Sequence, residues 1–284
     1  MEKESSKILR FLYNTAPGRL VLKFITAPFI SKIGGAYMDS AISKIHIKSF
    51  IKNNDIDMSE YVKEEYSCFN DCFTRNIIEE KRPMEKGDDI FISPCDGLLS
   101  AYHISDKSEF YIKKNYYTVA DLLGCEKDDE LAKGFENGTC LIFRLCVNNY
   151  HRYGYVDDGT IISNKEIPGK LHTVRPIAIR RYPIFIQNAR EATVIETKNF
   201  GKIAQVEVGA LMIGKIKNHK KSGNVKKGTE KGMFLYGGST IVMLVKENAI
   251  ELPEDLFIKS EEGLEVDVKF RQTIGKKRGD IYAN

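Results

Sequence analysis

Three short stretches of this sequence place an acid, a base and a nucleophile beside predicted turns. The acid is Asp96 in Ser-Pro-Cys-Asp-Gly, the base is His151 in Asn-Tyr-His-Arg, and the nucleophile is Ser239 in Gly-Gly-Ser-Thr. An Asp, a His and a Ser that meet in a fold can form a relay that activates the serine hydroxyl. Such a relay is defined by geometry and not by sequence order, so the three side chains are candidates for one site.

Each stretch also has an ordinary structural interpretation. Asp96 before a glycine is common in turns, His151 could be a buried core residue, and a Gly-Gly pair is typical of a tight turn that enters a strand. Two glycines would also let the backbone bring the Ser239 oxygen close to the preceding carbonyl, and the β-branched run that follows would hold the serine in place. His172 is a second candidate base, with a structural strand residue as its alternative.

The elements that must position these residues change in type along the chain. From about residue 90 onward, short β-like runs alternate with turns. Examples are residues 98–104, 140–147, 193–197, 203–208 and 241–245. Because no alternation of strands with long helices is present, the sequence predicts an α+β fold with a mainly antiparallel β core and an N-terminal helical region.

Residues 1–60 are predicted to be helical, basic and amphipathic. Residues 1–50 contain eight Lys or Arg and three acidic residues, a net charge of +5. A basic segment with an apolar stripe is typical of an element that lies on a membrane surface, and a helical subdomain packed on the core is the alternative. The predicted domains are residues 1–60, a membrane-associating region, and residues 61–284, a catalytic domain.

Composition excludes several other classes of protein. No window reaches the roughly 18 apolar residues of a membrane span, no secretory signal is present, and the basic runs lack the interleaved aromatics of a nucleic-acid surface. The cysteines form no Cys-x-x-Cys pair, so we expect them to be reduced and to hold no metal. They are Cys68, Cys72, Cys95, Cys125, Cys140 and Cys146.

Many short motifs occur in order over about residues 60–284. They are Phe69-Asn70, Phe73-Thr74-Arg75, Arg82-Pro83, Ser93-Pro94, Asp96-Gly97, Tyr150-His151-Arg152, Gly169-Lys170-Leu171-His172-Thr173-Val174, Phe185, Asn188, Arg190-Glu191, Val208-Gly209-Ala210, Lys227-Gly228, Glu230, Gly232, Phe234 and Gly237-Gly238-Ser239-Thr240. With these motifs the chain resembles the phosphatidylserine decarboxylase family. The Gly-Gly-Ser-Thr form resembles the clostridial-type branch of the family, whereas other members of the family have Leu-Gly-Ser-Thr.

The resemblance implies a self-cleaving proenzyme of phospholipid biosynthesis that converts phosphatidylserine to phosphatidylethanolamine and carbon dioxide. Asp96 would orient and charge-stabilise His151, which would take the proton of Ser239. Ser239 would attack the carbonyl carbon of Gly238 to form an ester, and elimination with loss of ammonia would leave a covalent pyruvoyl group. The products would be a β chain, residues 1–238, and an α chain, residues 239–284. The pyruvoyl ketone would form a Schiff base with the substrate amine and accept the electron pair that carbon dioxide leaves.

One position departs from the family pattern. Many members carry a second histidine three residues after His151, where this chain has Gly154. We therefore expect His151 to serve both self-cleavage and decarboxylation, with His172 as the reserve candidate.

The implied partners are phosphatidylserine in a membrane and the β and α chains of one precursor, and processed protomers could form a homodimer. No nucleic acid, metal or added cofactor is expected, and the expected location is peripheral, at the cytoplasmic face of a bacterial cell membrane. Two alternatives stay open. One is a pyruvoyl-dependent decarboxylase of another serine-headed lipid or of a free amino acid, and the other is a catalytically inactive membrane-binding homologue.

Overall fold

Helices come first along the chain and strands follow. The computed structural model describes residues 7–63, 65–112, 115–210, 215–236 and 239–279, except the side chains of Pro28 and Phe29. Its N-terminal helices are α1 (Lys7–Asn14), α2 (Ala16–Ile25), α3 (Pro28–Met38), α4 (Ile47–Asn53) and α5 (Phe69–Phe73), with 3-10 turns at Ala41–His46, Met58–Glu60 and Glu79–Lys81. The later helices are α6 (Val119–Leu123), α7 (Glu130–Lys133), α8 (Pro176–Ile179), α9 (Ile184–Gln187) and α10 (Glu254–Glu261).

Helices α1 and α2 meet at a sharp corner that depends on two small residues. The side-chain oxygen of Thr15 caps α2 by accepting a hydrogen bond from the Gly18 N–H at 3.0 Å. A Cβ at Gly18 would lie only 2.0 Å from the Phe11 carbonyl oxygen. Any larger residue at position 18 would therefore push the two helices apart.

The first two helices pack against the β domain. Leu12, Tyr13 and Leu22 belong to the largest buried cluster of the protein. The hydroxyl oxygen of Tyr13 accepts a hydrogen bond from the Thr173 N–H at 3.0 Å, and Arg181 donates to the Tyr13 carbonyl at 2.7 Å. The predicted N-terminal helices are confirmed, whereas the separate membrane-associating domain of residues 1–60 stays a prediction.

The strands form one large sheet and three small ones. They are β1 (Ile90–Ile92), β2 (Gly97–His103), β3 (Glu109–Ile112), β4 (Asn115–Thr118), β5 (Thr139–Leu145), β6 (Arg152–Gly154), β7 (Gly159–Ile167), β8 (Arg190–Thr197), β9 (Gly201–Val208), β10 (Ile216–Asn218), β11 (Gly223–Val225), β12 (Glu230–Phe234), β13 (Ser239–Val245), β14 (Ile250–Glu251), β15 (Val266–Val268) and β16 (Thr273–Lys277). The large sheet has the order β11-β7-β8-β9-β13-β5-β2-β15, and the small ones are β1-β16-β14, β10-β12-β6 and β3-β4. Their pairings are antiparallel, which confirms the predicted α+β class with an antiparallel core.

Strand β13 lies inside the large sheet, between β9 and β5, and all of its residues are buried. Val242 and Leu244 face the cluster that includes α1, and Ile241, Met243 and Val245 face a second cluster on the other side. Burying one large aliphatic side chain contributes about 1.5–3 kcal/mol. A strand anchored on both faces is a rigid support for the serine at its first position.

A buried ion pair joins β12 to β9. Lys231 and Glu207 are fully buried, and the Lys231 Nζ lies 2.6 Å from a Glu207 carboxylate oxygen. Asn218 and Gln205 each donate a further hydrogen bond to this carboxylate, both at 3.0 Å. Removing one partner of a buried pair costs about 3–5 kcal/mol, so this contact fixes the strand that leads toward Ser239.

Candidate active site

Ser239 is the first residue of β13 and is fully buried. It lies opposite Leu145, the last residue of β5, and the next residue, Thr240, is paired on both sides of the strand. The predicted cleavage partner, Gly238, lies outside the described residues. The serine is thus held where the central strand begins, directly after the glycine pair.

A tight turn after β5 leads the chain from Leu145 to His151. Asn149 closes the turn, because its side-chain oxygen accepts a hydrogen bond from the Cys146 N–H at 2.6 Å. The Asn149 N–H in turn donates to the Cys146 carbonyl at 2.9 Å. The Asn149 carbonyl oxygen is thereby fixed two residues before His151.

Two pairings connect the segments of the chain that carry His151 and Ser239. The carbonyl of His151 accepts a hydrogen bond from the Phe234 N–H at 3.0 Å, and Ser239 is paired with Leu145. His151 comes six positions after Leu145, and Ser239 comes five positions after Phe234. Each of the two residues therefore takes part in one of these pairings, and within the described residues no hydrogen bond joins His151 Nε2 to Ser239.

The His151 ring is a neutral imidazole with a free acceptor atom. Its Nδ1 lies 2.9 Å from the Asn149 carbonyl oxygen. Because a carbonyl can only accept, Nδ1 carries the proton and Nε2 carries the lone pair. Among the residues that the structure describes, none forms a hydrogen bond with the buried Nε2. Burial lowers the pKa of His151 to about 3, the hydrogen bond to Asn149 opposes this shift, and the Arg75 guanidinium adds to it.

Aromatic residues of α5 join His151 to the segment that precedes the glycines. The Phe73 ring lies 4.0 Å from the His151 ring and 5.2 Å from the Tyr236 ring, measured between centroids. Phe69 packs edge-on against Tyr236 at 4.7 Å. The side-chain oxygen of Asn70 accepts a hydrogen bond from the Tyr236 N–H at 2.9 Å. Helix α5 thus holds both the candidate base and the residue three positions before Ser239.

Asp96 is buried, but its hydrogen bonds go elsewhere than the sequence predicts. Arg82 donates to both of its carboxylate oxygens, at 3.0 and 2.7 Å, and the Phe270 N–H donates at 2.8 Å. Arg82 also reaches Glu60 at 3.1 Å. His151 Nδ1 donates the hydrogen bond that orients the ring, and the Asn149 carbonyl accepts it, so the predicted orienting contact with Asp96 is absent from this arrangement. The catalytic role of Asp96 stays a prediction.

Gly154, where many family members have a second histidine, lies against an aromatic ring. A Cβ at this position would lie 2.8 Å from Cε2 of Phe270 and 2.6 Å from the Thr229 carbonyl oxygen. Phe270 is also the residue whose N–H binds Asp96. The phenyl ring therefore fills the space beside Gly154, and no side chain fits at 154 unless both Phe270 and the Thr229 backbone move.

The reserve candidate, His172, lies in a different cluster. Its Nδ1 is 3.3 Å from the Tyr13 hydroxyl, and its ring stacks on Tyr182 at 4.8 Å. Asn188 binds its backbone on both sides, accepting from the N–H at 3.0 Å and donating to the carbonyl at 2.8 Å. Burial lowers the pKa of His172 to about 4, and the positive charge of Lys170 adds to this. These contacts favour a structural role at the junction between α1 and the β domain.

Three residues of this site received no role from the sequence: Arg75, Arg82 and Asn149. Arg75 and Arg82 stand in motifs that the sequence analysis noted, and both are buried. A buried arginine needs hydrogen-bond acceptors or an anion for its guanidinium group, but only the folded structure shows which groups it contacts. Asn149 acts through its backbone carbonyl, for which a sequence gives no signal.

The cysteines and acids do not assemble into a metal centre among the described residues. No group of three or more His, Cys, Asp or Glu side chains there could hold a metal ion. The six cysteines are free thiols, and Cys72, Cys95 and Cys140 are buried. Burial raises the pKa of the Cys72 thiol to about 11, which makes it a weak nucleophile.

Comparison with known proteins gives consistent matches along most of the chain. The model of the family described as phosphatidylserine decarboxylase matches residues 69–276. Phosphatidylserine decarboxylase proenzyme 2 of Clostridium acetobutylicum is 48% identical over 269 residues, which cover 94% of this chain and 91% of that protein. The phosphatidylserine decarboxylase proenzymes of Clostridium perfringens and Clostridium botulinum are 39% and 38% identical, and they cover 95% and 96% of this chain and 93% of their own lengths.

Proposed function

Because this chain belongs to the phosphatidylserine decarboxylase family, we propose that it converts phosphatidylserine to phosphatidylethanolamine and carbon dioxide after cutting its own backbone. The observation that carries this proposal is the family match over residues 69–276, a range that includes both His151 and Ser239. The similar proteins are named proenzymes, which supports self-processing of this chain.

The self-cleavage step needs a base for the Ser239 hydroxyl. His151 Nε2 is suited to this role, since it is unprotonated, buried and without a hydrogen-bond partner among the described residues. In the proposed step Nε2 takes the proton from Ser239 Oγ, and Oγ attacks the carbonyl carbon of Gly238. The peptide C–N bond breaks as the ester forms, and the proton moves to the freed nitrogen. Loss of the Cα proton of Ser239 would then break its Cβ–Oγ bond, which frees Gly238 as a carboxylate and gives residues 1–238 and 239–284. The dehydroalanine left at position 239 would tautomerise to an imine, and water would hydrolyse this imine and release ammonia.

The residues present fit a pyruvoyl group that is made in place from Ser239. This group would supply a ketone that holds the substrate amine and takes up the electron pair released with carbon dioxide. The protein's own contribution is to keep that position buried at the start of β13. After self-cleavage Nε2 would be available to accept a proton from solvent and pass it to the carbon that carbon dioxide leaves.

The test of the function is turnover of the lipid itself. We expect the purified protein to release carbon dioxide from vesicles that contain phosphatidylserine and to form phosphatidylethanolamine without added metal or cofactor. Free serine, offered at the same concentration, should give little or no carbon dioxide. Equal turnover of free serine would instead favour the alternative of a free amino acid as substrate, and no turnover of either would favour the inactive homologue.

The N-terminal helices favour a location at a membrane surface. None of the helices in the described residues is long and apolar enough to span a bilayer. Large apolar side chains on these helices are nevertheless exposed, among several lysines and arginines: Ile8, Phe11, Leu20, Val21, Phe24, Ile30, Ile33, Tyr37, Ile42 and Ile45. An exposed apolar face with flanking basic residues suits insertion into an anionic headgroup layer. We therefore propose that this face docks on the lipid surface that supplies the substrate.

Replacing two of these residues should weaken membrane binding and leave folding intact. The double variant Leu20→Ser, Phe24→Ser removes side chains that are 60% and 68% exposed. We expect its affinity for vesicles of phosphatidylserine and phosphatidylcholine to fall at least about tenfold, because each apolar side chain buried in lipid contributes about 1.5–3 kcal/mol. Flotation of the vesicles measures binding, and a gel reports self-cleavage.

The matched control is Ile258→Ser, Leu264→Ser, which changes two apolar residues that are 53% and 55% exposed at the other end of the chain. It should bind vesicles like the unsubstituted protein. Equal flotation of both double variants would contradict the membrane role. Point variants are preferable to deletion of residues 1–35, because Tyr13 contacts His172 and belongs to the core.

Assembly into a homodimer of processed protomers is a further prediction from the resemblance. Light scattering on the purified, processed protein distinguishes one pair of chains from two.

A further inference from the structure

Arg75 places a positive charge deep in the protein, next to the candidate base. It is among the largest fully buried side chains, less than 2% exposed. Its guanidinium lies over the Tyr61 ring, 4.3 Å from the centroid. A buried charge of this kind is costly unless its N–H groups are satisfied, so its position calls for an explanation.

The partners of Arg75 are oxygen atoms that carry no formal charge. It donates to the Tyr61 hydroxyl at 3.1 Å, the Asn148 carbonyl at 3.1 Å and the Asn149 carbonyl at 3.4 Å. Two further contacts, both 3.4 Å, reach the carbonyls of Cys72 and Phe73, and the Nε of Arg75 has no hydrogen-bond partner among the described residues. No carboxylate of the described residues forms an ion pair with it. The positive charge is therefore not neutralised by a neighbouring anion.

One carbonyl oxygen is shared between Arg75 and His151. The Asn149 oxygen accepts from Arg75 Nη2 and lies 2.9 Å from His151 Nδ1. A carbonyl oxygen has two lone pairs and can accept both hydrogen bonds, but it cannot donate. The contact with Arg75 takes one lone pair and restrains the orientation of this carbonyl, so that the other lone pair faces the proton on Nδ1. Nε2 is then left as the acceptor.

We propose that Arg75 is the positioning residue of the self-cleavage base: it anchors the Asn149 carbonyl and so holds His151 in the neutral tautomer that has its proton on Nδ1. This inference rests on the proposed role of His151 as the base for Ser239. The sequence predicts that the carboxylate of Asp96 orients His151. In this proposal Arg75 orients His151 instead, through the backbone carbonyl of Asn149.

The surroundings of His151 agree with this assignment. Phe73 and Tyr236 present aromatic rings on one side. On the neighbouring strands, Arg152 and Glu230 neutralise each other in an ion pair of 2.9 Å. Arg75 is thus the charged group without an anionic partner, and its charge disfavours an imidazolium. Burial lowers the pKa of His151, and Arg75 lowers it further.

The first test observes the tautomer directly. The Ser239→Ala protein, which keeps the chain uncut, is labelled with nitrogen-15 histidine, and the His151 signals are assigned by comparison with a His151→Gln variant. We expect a single neutral form near pH 7 with the proton on Nδ1. A proton on Nε2, or a charged ring, would overturn the proposal even if self-cleavage of the Ser239 protein proceeds normally.

The second test removes the anchor. In the Ser239→Ala background, Arg75→Met should let a clearly detectable fraction of His151, more than about one tenth, change to the Nε2-protonated tautomer. Arg75→Lys keeps a charge but cannot reproduce the planar fork, so it should show the same tautomer mixture. In the Ser239 background, both variants should cut more slowly in proportion to the fraction of His151 that has its proton on Nε2, because a wrong histidine tautomer costs up to about four orders of magnitude in a Ser-His system.

Arg190→Met is the matched control. Arg190 is also buried and also donates only to carbonyls, those of Asp121, Leu122, Ile186 and Asn188. Its loss should leave the His151 tautomer unchanged. If Arg75→Met does not fold, Arg75→Lys decides the question. A folded Arg75 variant with an unchanged tautomer would overturn the proposal, and so would a mixture of tautomers in Arg190→Met that equals the mixture in the Arg75 variants.

Discussion

Ser239→Ala is expected to remain a single uncut chain of 284 residues with no decarboxylase activity. Alanine has no oxygen to attack the Gly238 carbonyl, and it cannot give rise to a pyruvoyl group. The effect should be complete, because one atom supplies both the nucleophile and the cofactor precursor. Intact mass and a denaturing gel measure the cut, and carbon dioxide release from phosphatidylserine vesicles measures turnover.

Two neighbouring variants make this result specific. Ser239→Cys keeps a nucleophile and should cut slowly. Thr240→Val changes the next hydroxyl, which is buried and lacks a hydrogen-bond partner among the described residues, so its loss should leave cutting intact and stability equal or higher. Cleavage of Ser239→Ala at the position after Gly238 would remove Ser239 from the mechanism.

His151→Gln is expected to stay uncut over times in which the unsubstituted protein is fully processed. An unassisted serine hydroxyl is a poor nucleophile, and a positioned general base contributes about two to four orders of magnitude in rate. Glutamine keeps a buried polar side chain of similar reach, so failure to cut would reflect the loss of Nε2 more than a cavity. The rate of appearance of the two chains on a gel measures the effect.

His172→Gln is the control for this prediction. His172 is also buried and hydrogen bonded, but its partners are Tyr13 and the side chain of Asn188. We expect its processing rate to stay within about threefold of the unsubstituted protein, with some loss of stability where α1 packs. The reverse pattern, with His151→Gln processed and His172→Gln uncut, would move the base to His172.

The parts of the fold that depend on local pattern could be predicted from the sequence. The apolar run after Ser239 predicts a buried strand, and the run is buried on both faces as β13. The N-terminal helices follow from helical spacing of apolar residues in the same way. The docking of α1 could not be predicted, because it depends on a contact between Tyr13 and His172, which are 159 residues apart.

The contacts within the candidate site could be predicted from the sequence even less well than the packing of the helices. Three residue types identified Asp96, His151 and Ser239 as candidates, yet the sequence could not show which groups they bind. Asp96 meets Arg82 and the N–H of Phe270, and the latter is 174 residues away. His151 meets a backbone carbonyl, and every residue has one. Side-chain identity therefore indicates which chemistry is available, and only tertiary contacts decide which partner each group obtains.

The interior place of β13 has a consequence for the order of folding and cutting. If the cut falls before Ser239, the smaller product begins with a strand that is hydrogen bonded to β5 and β9, and its β16 is paired with β1 of the larger product. The two pieces would stay together without a covalent link, and folding before the cut makes these pairings within one chain. Once denaturant separates them, regaining the native state becomes a second-order encounter between two fragments with exposed strand edges, which favours aggregation. The working lifetime of the processed protein would then be set by its rate of unfolding and not by an equilibrium.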